Sequence, residues 1–317
     1  MVAVTAALVS ALLTRLLIRF SFRLGLTAQP REDRWHKQPT PNTGGLAILI
    51  TLAIVYLAVV PGHYGQIVAA AVFVALLGFL DDRIQLKPSI KFAGQSVAAL
   101  AVIASGVVFR GTPWELLNLA LSFLWIVGIT NAFNLIDNMD GLCGGVTVII
   151  SGFRCWFTVA NGDAAGALIM AALGGSFLGF LAFNYKPAKI FMGDCGSMFA
   201  GFLLGALTIA SPPPRSGVVL SALLYPVLTF LYPIFDTVLV SVMRRAAGRP
   251  ISVGGRDHSS HRLVAMGLSE QQAVWVLWAL TAIGSAAGLV VHPIPFSALA
   301  LTIAGGTIFG VPLGTLR

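Results

Sequence analysis

Five aspartates occur in three short segments, each beside a long apolar stretch of the chain. The segments read GFLDDR, NLIDNMDGL and FMGDCGS, and they contain Asp81, Asp82, Asp137, Asp140 and Asp194. The whole chain has only twelve Asp and Glu among 317 residues, so these positions hold a large share of the acids. A carboxylate beside an apolar segment is costly unless it is paired or solvated, and it is by default a functional candidate. We therefore expect three distant parts of the chain to meet at one acidic site.

A polar residue recurs at every third position where the second of these segments begins. Asn131, Asn134, Asp137 and Asp140 follow the apolar run LALSFLWIVGIT. Three residues of an α-helix rotate by roughly 300° and rise about 4.5 Å, so the first three side chains share one broad face. If the helix end tightens to 3₁₀ geometry, Asp140 joins them, and Gly141 lets the chain turn away. The spacing predicts a short column of oxygen ligands and amide donors.

Oxygen ligands of this kind suit a hard divalent cation. Sparse carboxylates with amide oxygens favour Mg²⁺ or Mn²⁺, and the sequence has no His/Cys cluster that would suit zinc. Cys143, Cys155 and Cys195 have no metal-binding or redox spacing, and we interpret them as apolar packing residues. Magnesium usually binds one or two carboxylates together with substrate phosphates. A pyrophosphate is therefore the expected source of the remaining ligands.

A basic segment supplies groups that a phosphate needs. The stretch RRAAGRPISVGGRDHSSHRL covers residues 244–263 and contains, within seven positions, Arg256, His258, His261 and Arg262. Arg and protonated His bind phosphate oxygens through charge-assisted hydrogen bonds. A structural metal site on the two histidines is disfavoured because no third His or Cys lies nearby in the sequence. We predict that these four side chains bind phosphate.

Two further positions have open roles. Lys37, in RWHKQPTPNTGG, is a candidate for binding the nucleotide, and His36 beside it could do the same work. The prolines and glycines that follow make a stiff and then permissive entry to the next apolar run, which suits a loop that cups a ligand. Asp236, in YPIFDTVLV, lies inside an apolar run. It is either a structural hydrogen-bond partner or a buried neighbour of the site.

Transmembrane helices are the elements that must position these residues. The chain is 57% hydrophobic and 10% charged, whereas soluble domains carry about 25% charged residues. We therefore predict an all-α, polytopic integral membrane protein that forms a single domain over residues 1–317. Because about twenty residues cross the hydrocarbon, eleven apolar segments are candidate spans, with ten as the alternative count. The segments are 2–22, 43–60, 66–80, 92–109, 115–133, 142–160, 164–183, 196–211, 217–242, 271–291 and 294–315.

Basic residues predict the orientation of these spans, because they are concentrated in alternate loops. The opposite loops contain only Arg110 and Arg215. By the positive-inside rule the basic loops are cytoplasmic, with the N-terminus outside and the C-terminus inside. The first stretch is interpreted as a retained span, not a signal peptide, because Arg15 and Arg19 follow its apolar part. The net charge of +8 fits this topology and attraction to anionic membrane lipids, and we expect no nucleic-acid partner.

The order of the motifs resembles that of the polyprenyl-phosphate N-acetylhexosamine-1-phosphate transferases. The motifs are GFLDDR, NAFNLIDNMDGL, FMGDCGS, PIFD and RDHSSHRLVAMGLS, within about residues 37–263. The nearest branch comprises bacterial enzymes that begin O-antigen, enterobacterial common antigen, teichoic acid or arabinogalactan synthesis. The resemblance implies transfer of a sugar-1-phosphate from a UDP-N-acetylhexosamine, with UDP-GlcNAc preferred, to undecaprenyl or decaprenyl phosphate, with release of UMP. It also implies a homodimer in the bacterial inner membrane, with its active site facing the cytoplasm.

The resemblance assigns roles to individual residues. Asp194 matches the magnesium ligand of the family's GD motif, and Asn134 matches a second metal ligand of the eukaryotic relative. Asp137 and Asp140 match the acidic positions of the NxxNxxDGxDGL signature. Asp140 is also similar to a residue that contacts uracil in the branch that forms lipid I.

The same comparison of motifs identifies the acceptor side and two departures. Asp81 and Asp82 match the aspartate pair near the acceptor phosphate. Asn138 stands where the signature has its first Gly, and Ser260 replaces one imidazole of the frequent H-x-H-H motif. The lost imidazole argues against the alternative branch, the phospho-MurNAc-pentapeptide transferases that form lipid I.

The implied reaction is a phosphoryl transfer, in which positioning and charge neutralisation provide most of the catalysis. Mg²⁺ on Asp194 and Asn134 is expected to stabilise the UMP leaving group. The acceptor phosphate, with a second pKa near 6, is mostly dianionic at neutral pH. Asp81 or Asp82 would remove a residual proton from this phosphate or orient the acceptor. Direct attack is preferred, and a two-step route through an aspartyl-phosphate stays open.

Two other classes fit parts of the pattern. The CDP-alcohol phosphotransferases require D-G-x-x-A-R after the first acid, whereas Asp140 and Gly141 are followed by LCGG. A membrane transporter is the non-enzyme alternative, but transporters usually place polar sites near the bilayer midplane, between repeated halves. In this chain the acids gather at one predicted surface, and we find no internal repeat.

Overall fold

The computed structural model describes residues 1–28, 39–211, 219–250, 255 and 257–291. This part of the chain folds into twelve helices and one antiparallel pair of two-residue strands. In chain order the elements are α1 (Val2–Arg23), β1 (Thr27–Ala28), β2 (Thr40–Pro41), α2 (Gly44–Val59), α3 (Gly65–Ile84), α4 (Pro88–Ala104), α5 (Glu115–Ile136), α6 (Leu142–Ala160), α7 (Ala164–Asn184), α8 (Gly193–Ala210), α9 (Val219–Thr229), α10 (Leu231–Ala246), α11 (Ser259–Ala265) and α12 (Glu270–Val291).

Six of the described helices are long and apolar enough to cross a membrane, namely α1, α5, α6, α7, α8 and α12. Two shorter apolar helices, α2 and α4, accompany them. Together with the hydrophobic composition, these helices identify an α-helical protein embedded in a membrane. The prediction of an all-α membrane protein is confirmed at this level, and the number of crossings and their orientation stay predictions.

Most of the predicted apolar segments coincide with one helix each, but the segment 217–242 is divided into α9 and α10, which meet at Phe230. Pro233 has no N–H with which to bond the carbonyl of Thr229, and its ring would clash with that carbonyl in a continuous helix. The Thr229 carbonyl instead accepts a hydrogen bond of 3.3 Å from Ser285 Oγ. A single uninterrupted helix over this segment is therefore excluded. The candidate segment 294–315 lies outside the described residues.

The helix α8 is buried along nearly its whole length and packs against both α3 and α5. Glycines allow both contacts. A Cβ on Gly78 of α3 would lie 2.5 Å from the backbone of Asp194, and one on Gly201 of α8 would lie 2.8 Å from a backbone oxygen of α5. Small residues are what let membrane helices approach so closely. Gly78 thereby brings the end of α3, with Asp81 and Asp82, against the start of α8.

Backbone hydrogen bonds join the residues before α2 to the loop before α8. Phe191 N donates to the Pro41 carbonyl at 2.8 Å, and Gly44 N donates to the Phe191 carbonyl at 2.9 Å. The same residues before α2 are also paired with β1, through Thr40 and Pro41 of β2. As a result, Asn42 is fixed beside the N-terminal end of α8.

A fully buried arginine lies at the opposite end of α8. Arg154 of α6 donates through Nη2 to the carbonyls of Leu207 and Ser211, at 3.2 and 3.4 Å, and through Nη1 to Tyr225 Oη at 3.3 Å. Its guanidinium also lies 5.1 Å from the ring centre of Phe157. Because carbonyls at a helix C-terminus lack partners within the helix, this cation satisfies groups that α8 leaves open.

Candidate active site

The three acidic segments meet at one cavity of about 670 Å³. It lies where α3 and α5 end and α8 begins, and another side is lined by Gly255, His258 and His261. The predicted site residues that line it are Asp82, Asn134, Asp137, Asp140, Asp194, His258 and His261. Asp81 is joined to this set through Lys91, which also lines the cavity. Convergence of distant acids, expected from the sequence, is therefore a feature of the fold.

A lysine ammonium lies between two of the predicted carboxylates. Lys91 Nζ is 2.9 Å from Asp81 Oδ2 and 2.7 Å from Asp194 Oδ2. The short turn after α3 places the first residues of α4 beside the end of α3, and the amide of Leu86 donates to Asp81 Oδ1 at 2.6 Å. No motif in the sequence singled out Lys91 as a residue of the site. The signal available was its position nine residues after Asp82, at the start of an apolar run.

Asp82 binds the start of α8. Its carboxylate accepts hydrogen bonds from Asn42 Nδ2 at 3.0 Å, from Asp194 N at 3.1 Å and from Cys195 N at 3.2 Å. A carboxylate at this position complements the positive end of the helix dipole. Asp82 lies beyond the apolar part of α3, which ends at Leu80. Burial, with the charge of Asp194, raises the pKa of Asp82 to about 7 against the effect of these three hydrogen bonds.

Asn134 faces Asp194 across the junction of α5 and α8. Its amide nitrogen donates to Ser197 Oγ at 3.1 Å, and Ser197 is one turn after the start of α8. Because the amide nitrogen is engaged with Ser197, the carbonyl oxygen Oδ1 is the atom that Asn134 could offer to a cation. Asn131, one turn earlier, is directed instead to Gln95 Oε1 of α4, at 2.7 Å. All four residues of the predicted column, Asn131, Asn134, Asp137 and Asp140, nevertheless line the same cavity, and the Asn131 amide in addition binds a neighbouring helix.

The loop after α5 carries Asp137 and Asp140, and it is docked on the loop before α8. Asp140 Oδ2 accepts a hydrogen bond from Ala188 N at 2.9 Å, and Asn184 Oδ1 accepts one from Gly141 N at 3.1 Å. Gly141 has a φ of 77°, a conformation that favours glycine. The helix therefore ends at Ile136, and the two acids lie on a fixed turn that faces the cavity.

Asp236 anchors the histidine segment, which answers the question left open by the sequence. Its Oδ2 lies 2.7 Å from His258 Nδ1, and its Oδ1 accepts hydrogen bonds from Ser259 N at 2.7 Å and Ser259 Oγ at 2.6 Å. Asp236 is fully buried in α10. It is therefore both a structural hydrogen-bond partner and a buried neighbour of the site. His258 and His261, whose ring centres are 5.9 Å apart, both reach the cavity.

In the described part of the chain, none of the remaining predicted site residues is seen to line the cavity. Lys37 and Arg256 lie outside the described residues. Arg262 is exposed on α11, where its Nε donates to the Asp257 carbonyl at 3.1 Å, and it does not line the cavity. Arg244 of α10 does line the cavity, although no sequence motif had indicated it. Arg249 and Arg244 hydrogen-bond Asp257 and hold the pKa of its carboxyl below the usual range.

The donor set fits a hard cation held by few protein ligands. In the described ranges there is no group of three or more His, Cys, Asp and Glu arranged to hold a metal, so a cage made of protein alone is excluded there. Asp194 and the carbonyl oxygen of Asn134 are oxygen donors that line the same cavity. Magnesium usually takes one or two carboxylates and completes its shell with waters and substrate phosphates. The site therefore suits Mg²⁺ that arrives with a phosphorylated substrate.

Sequence comparisons match most of the chain. The profile of glycosyl transferase family 4 matches residues 64–212, a stretch that contains all three acidic segments. A probable undecaprenyl-phosphate N-acetylglucosaminyl 1-phosphate transferase of Bacillus subtilis is 35% identical over 92% of this chain and 85% of its own length. A decaprenyl-phosphate N-acetylglucosaminephosphotransferase of Mycolicibacterium smegmatis is 34% identical over 92% of this chain and 82% of its own length. A phospho-N-acetylmuramoyl-pentapeptide-transferase of Desulforamulus reducens is 31% identical over 87% of this chain and 89% of its own length.

Proposed function

Because the chain belongs to glycosyl transferase family 4, we propose that it transfers N-acetylglucosamine-1-phosphate from UDP-GlcNAc to a polyprenyl phosphate. The products are a polyprenyl-diphosphate sugar and UMP. This is the initiating step for a glycan of the cell envelope. The relatives named for undecaprenyl and decaprenyl acceptors support the acceptor class, and they support GlcNAc as the sugar.

The convergence of Asp81, Lys91 and Asp194 beside the carboxylates of the α5 loop is the observation that carries this proposal. A transfer between a water-soluble nucleotide and a lipid phosphate needs a polar cavity that adjoins apolar helices. The cavity provides both, because Lys91 and Phe92 line it at the start of the apolar helix α4. Cationic and acidic groups are close enough there to bind phosphates and to hold the attacking oxygen in place.

In this mechanism the chain's own residues bind and orient the two phosphates. Lys91 and Arg244 neutralise phosphate charge, and His258, held by Asp236, donates or accepts at its other ring nitrogen. Asp81 positions the Lys91 ammonium, so this aspartate acts on the acceptor through the lysine. A bound Mg²⁺, held by Asp194 and Asn134, would neutralise charge on the donor pyrophosphate. Arg256 and Lys37, which lie outside the described residues, are proposed as phosphate and nucleotide ligands, respectively.

The acceptor phosphate attacks the β-phosphorus of the donor, and UMP departs. A phosphate dianion is an adequate nucleophile, so no covalent intermediate is required. Capture of a labelled phosphoryl-enzyme from UDP-GlcNAc, without acceptor, would instead establish the two-step route through an aspartate.

The same proposal places the protein in a bacterial inner membrane, as a homodimer, with the cavity facing the cytoplasm. Eleven crossings, or ten as the alternative, follow from the apolar segments of the sequence. The external N-terminus and the cytoplasmic C-terminus follow from the charge distribution of the loops. In this orientation UDP-GlcNAc reaches the cavity from the cytosol while the prenyl chain stays in the bilayer.

Release of UMP tests the function directly. Purified protein is mixed with undecaprenyl phosphate, Mg²⁺ and one of a panel of UDP-sugars: UDP-GlcNAc, UDP-GalNAc or UDP-MurNAc-pentapeptide. We expect UMP and lipid-linked sugar from UDP-GlcNAc, and no UMP when the acceptor is omitted. A preference for UDP-MurNAc-pentapeptide would move the chain to the lipid I-forming branch. No UMP with any donor would favour transport.

A further inference from the structure

One hydrogen bond joins two walls of the cavity that come from distant parts of the sequence. Ser260 Oγ, at the start of α11, lies 2.6 Å from Asn138 Oδ1, in the turn after α5. The amide nitrogen of Asn138 donates to the Leu135 carbonyl at 2.8 Å. Because Oδ1 of Asn138 is an acceptor, the Ser260 hydroxyl is the donor. Both ends of the Asn138 amide are thereby engaged, and its orientation is fixed.

Each partner lies between groups that line the cavity. Asn138 falls between Asp137 and Asp140, and Ser260 falls between His258 and His261. The bond therefore couples the turn that carries the two acids to the segment that carries the two histidines. The Ser260 side chain is fully buried, so loss of the bond would leave a buried polar group without its partner.

The histidine segment is also held from the other side, which makes the bond a fixed link. Asp236 binds His258 and both the amide and hydroxyl of Ser259. Residues 258–260 are thus attached to α10 through Asp236 and to the α5 turn through Asn138. Such an arrangement sets the distance between the acids and the histidines.

The two bonded residues are also the two at which this chain departs from the family motifs. Asn138 is larger than the Gly of the signature, and Ser260 is smaller than the imidazole of H-x-H-H. Because a hydrogen bond joins these two positions, a change of side-chain volume at one of them affects the other.

We propose that Asn138 and Ser260 are positioning residues that set the width of the donor-binding part of the cavity. This inference rests on the proposed function, since the ligand that spans from the acids to the histidines is the UDP-sugar. The pair holds the phosphate-binding histidines at the correct distance from the nucleotide-binding acids. It acts on binding of the donor and leaves the acceptor side, around Asp81 and Lys91, unchanged.

A double-mutant cycle tests the pair. Asn138→Ala and Ser260→Ala are each expected to raise the KM for UDP-GlcNAc about tenfold, as expected for a lost buried hydrogen bond. The KM for undecaprenyl phosphate should stay within about twofold, and the double variant should be no worse than either single variant, because the two residues act together. Ser105→Ala is the control and should change neither KM, because it removes a serine hydrogen bond at the C-terminal end of α4, whereas the cavity is lined by residues at the start of that helix.

A reciprocal exchange makes the test sharper. Asn138→Gly and Ser260→His alone should each impair donor binding, whereas the variant with both changes should recover most of it. The proposal would be overturned if the losses were additive both for the two alanine substitutions and for the two exchange substitutions. Equal changes in the KM for UDP-GlcNAc and the KM for undecaprenyl phosphate would also overturn it.

Thermal unfolding of the purified variants gives a readout that does not depend on activity. Non-additive shifts of the unfolding temperature are expected both for the alanine variants and for the exchange variants of Asn138 and Ser260. If the wild-type protein releases no UMP, the proposed function fails while this cycle still reports whether the two residues are coupled. A coupling seen in unfolding but absent from the donor KM would show a purely structural bond and refute the positioning role.

Discussion

At the scale of single residues, the cavity is organised by a cation between carboxylates. The Lys91 ammonium contacts Asp81 and Asp194, while Asp82 is committed to the backbone at the start of α8. The two adjacent aspartates of GFLDDR therefore have different tasks. Asp82 fixes the position of α8, and Asp81 fixes the lysine. Because Asp194 meets both the lysine and the predicted metal position, it is the residue on which most of the charge balance depends.

Replacing Lys91 by Ala should lower kcat/KM by at least about a hundredfold, the loss typical when one preorganised charged donor is removed. The change leaves Asp81 and Asp194 without the cation between them, and it removes a phosphate ligand. UMP release at varied acceptor concentration measures the effect. Lys87→Ala is the matched control, because Lys87 is exposed just before α4 and does not line the cavity. Equal activity of the two variants would contradict the assignment.

Asp194→Asn should abolish transfer while the protein still inserts and purifies. The substitution keeps the size of the side chain and removes the charge that Mg²⁺ and Lys91 require. Asn134→Ala is expected to retain activity but to need more Mg²⁺ for half-maximal rate, since it loses one neutral ligand. A titration of UMP release against Mg²⁺ measures both effects. Near-normal turnover by Asp194→Asn would remove the metal assignment.

At the scale of elements, the site depends on how closely α3 and α8 approach. Residues of α3 and of the turn after it face the start of α8, and Gly78 lies where the two backbones meet. The pairing of residues 40–41 with β1 and with Phe191 then adds Asn42 to the same corner. The break at Phe230 allows α10 to place Asp236 beneath the histidine segment. Helix ends and breaks, more than helix centres, therefore determine the geometry of the site.

Gly78→Ala should reduce activity about tenfold to a hundredfold, because an added Cβ would be 2.5 Å from the Asp194 carbonyl and would displace the carboxylates of α3 from Asp194. The measurement is kcat/KM for UDP-GlcNAc in the purified, monodisperse variant. Gly128→Ala is the control, because a Cβ there meets no atom within 4 Å. A Gly78→Ala variant as active as Gly128→Ala would show that this helix contact does not set the site geometry.

At the scale of the whole molecule, α8 is a central helix whose two ends are satisfied by oppositely charged groups. The Asp82 carboxylate accepts from amides at its N-terminal end, and the Arg154 guanidinium donates to carbonyls at its C-terminal end. Both arrangements match the direction of the helix dipole. The cavity of the candidate active site lies at the first of these ends. The second is a stabilising contact at the far end of the bundle.

Arg154→Met should lower the unfolding temperature by about 5 °C, because α8 loses charged hydrogen bonds to buried carbonyls. The kcat of the protein that remains folded should change little, since Arg154 lies at the opposite end of α8 from the cavity. Unfolding is followed by light scattering or fluorescence of detergent-solubilised protein. Arg110→Ala, at an exposed arginine, is the control and should leave the unfolding temperature unchanged.

Prediction from sequence worked best for features written in local patterns. Long apolar runs identified the helices, and the acids beside those runs identified Asp82, Asn134, Asp137, Asp140 and Asp194 as residues that line one cavity. It failed where the deciding contact is made between distant segments. No local pattern distinguishes Lys91 or Arg244 from the other basic residues of the chain. The division of 217–242 depends on Pro233 and on the Ser285 hydroxyl of α12, which donates to the Thr229 carbonyl.

The sequence by itself determined the membrane class, the candidate helices and the chemical character of the site, because apolar periodicity and residue type are properties of neighbours along the chain. Only the tertiary structure decided which aspartate anchors a helix, which holds a lysine, and which supports a histidine. It also decided that Asn138 and Ser260 meet. The physical reason is that a carboxylate's role depends on the donors within hydrogen-bonding distance, and close packing of α3, α5, α8 and α10 brings those donors from far along the chain.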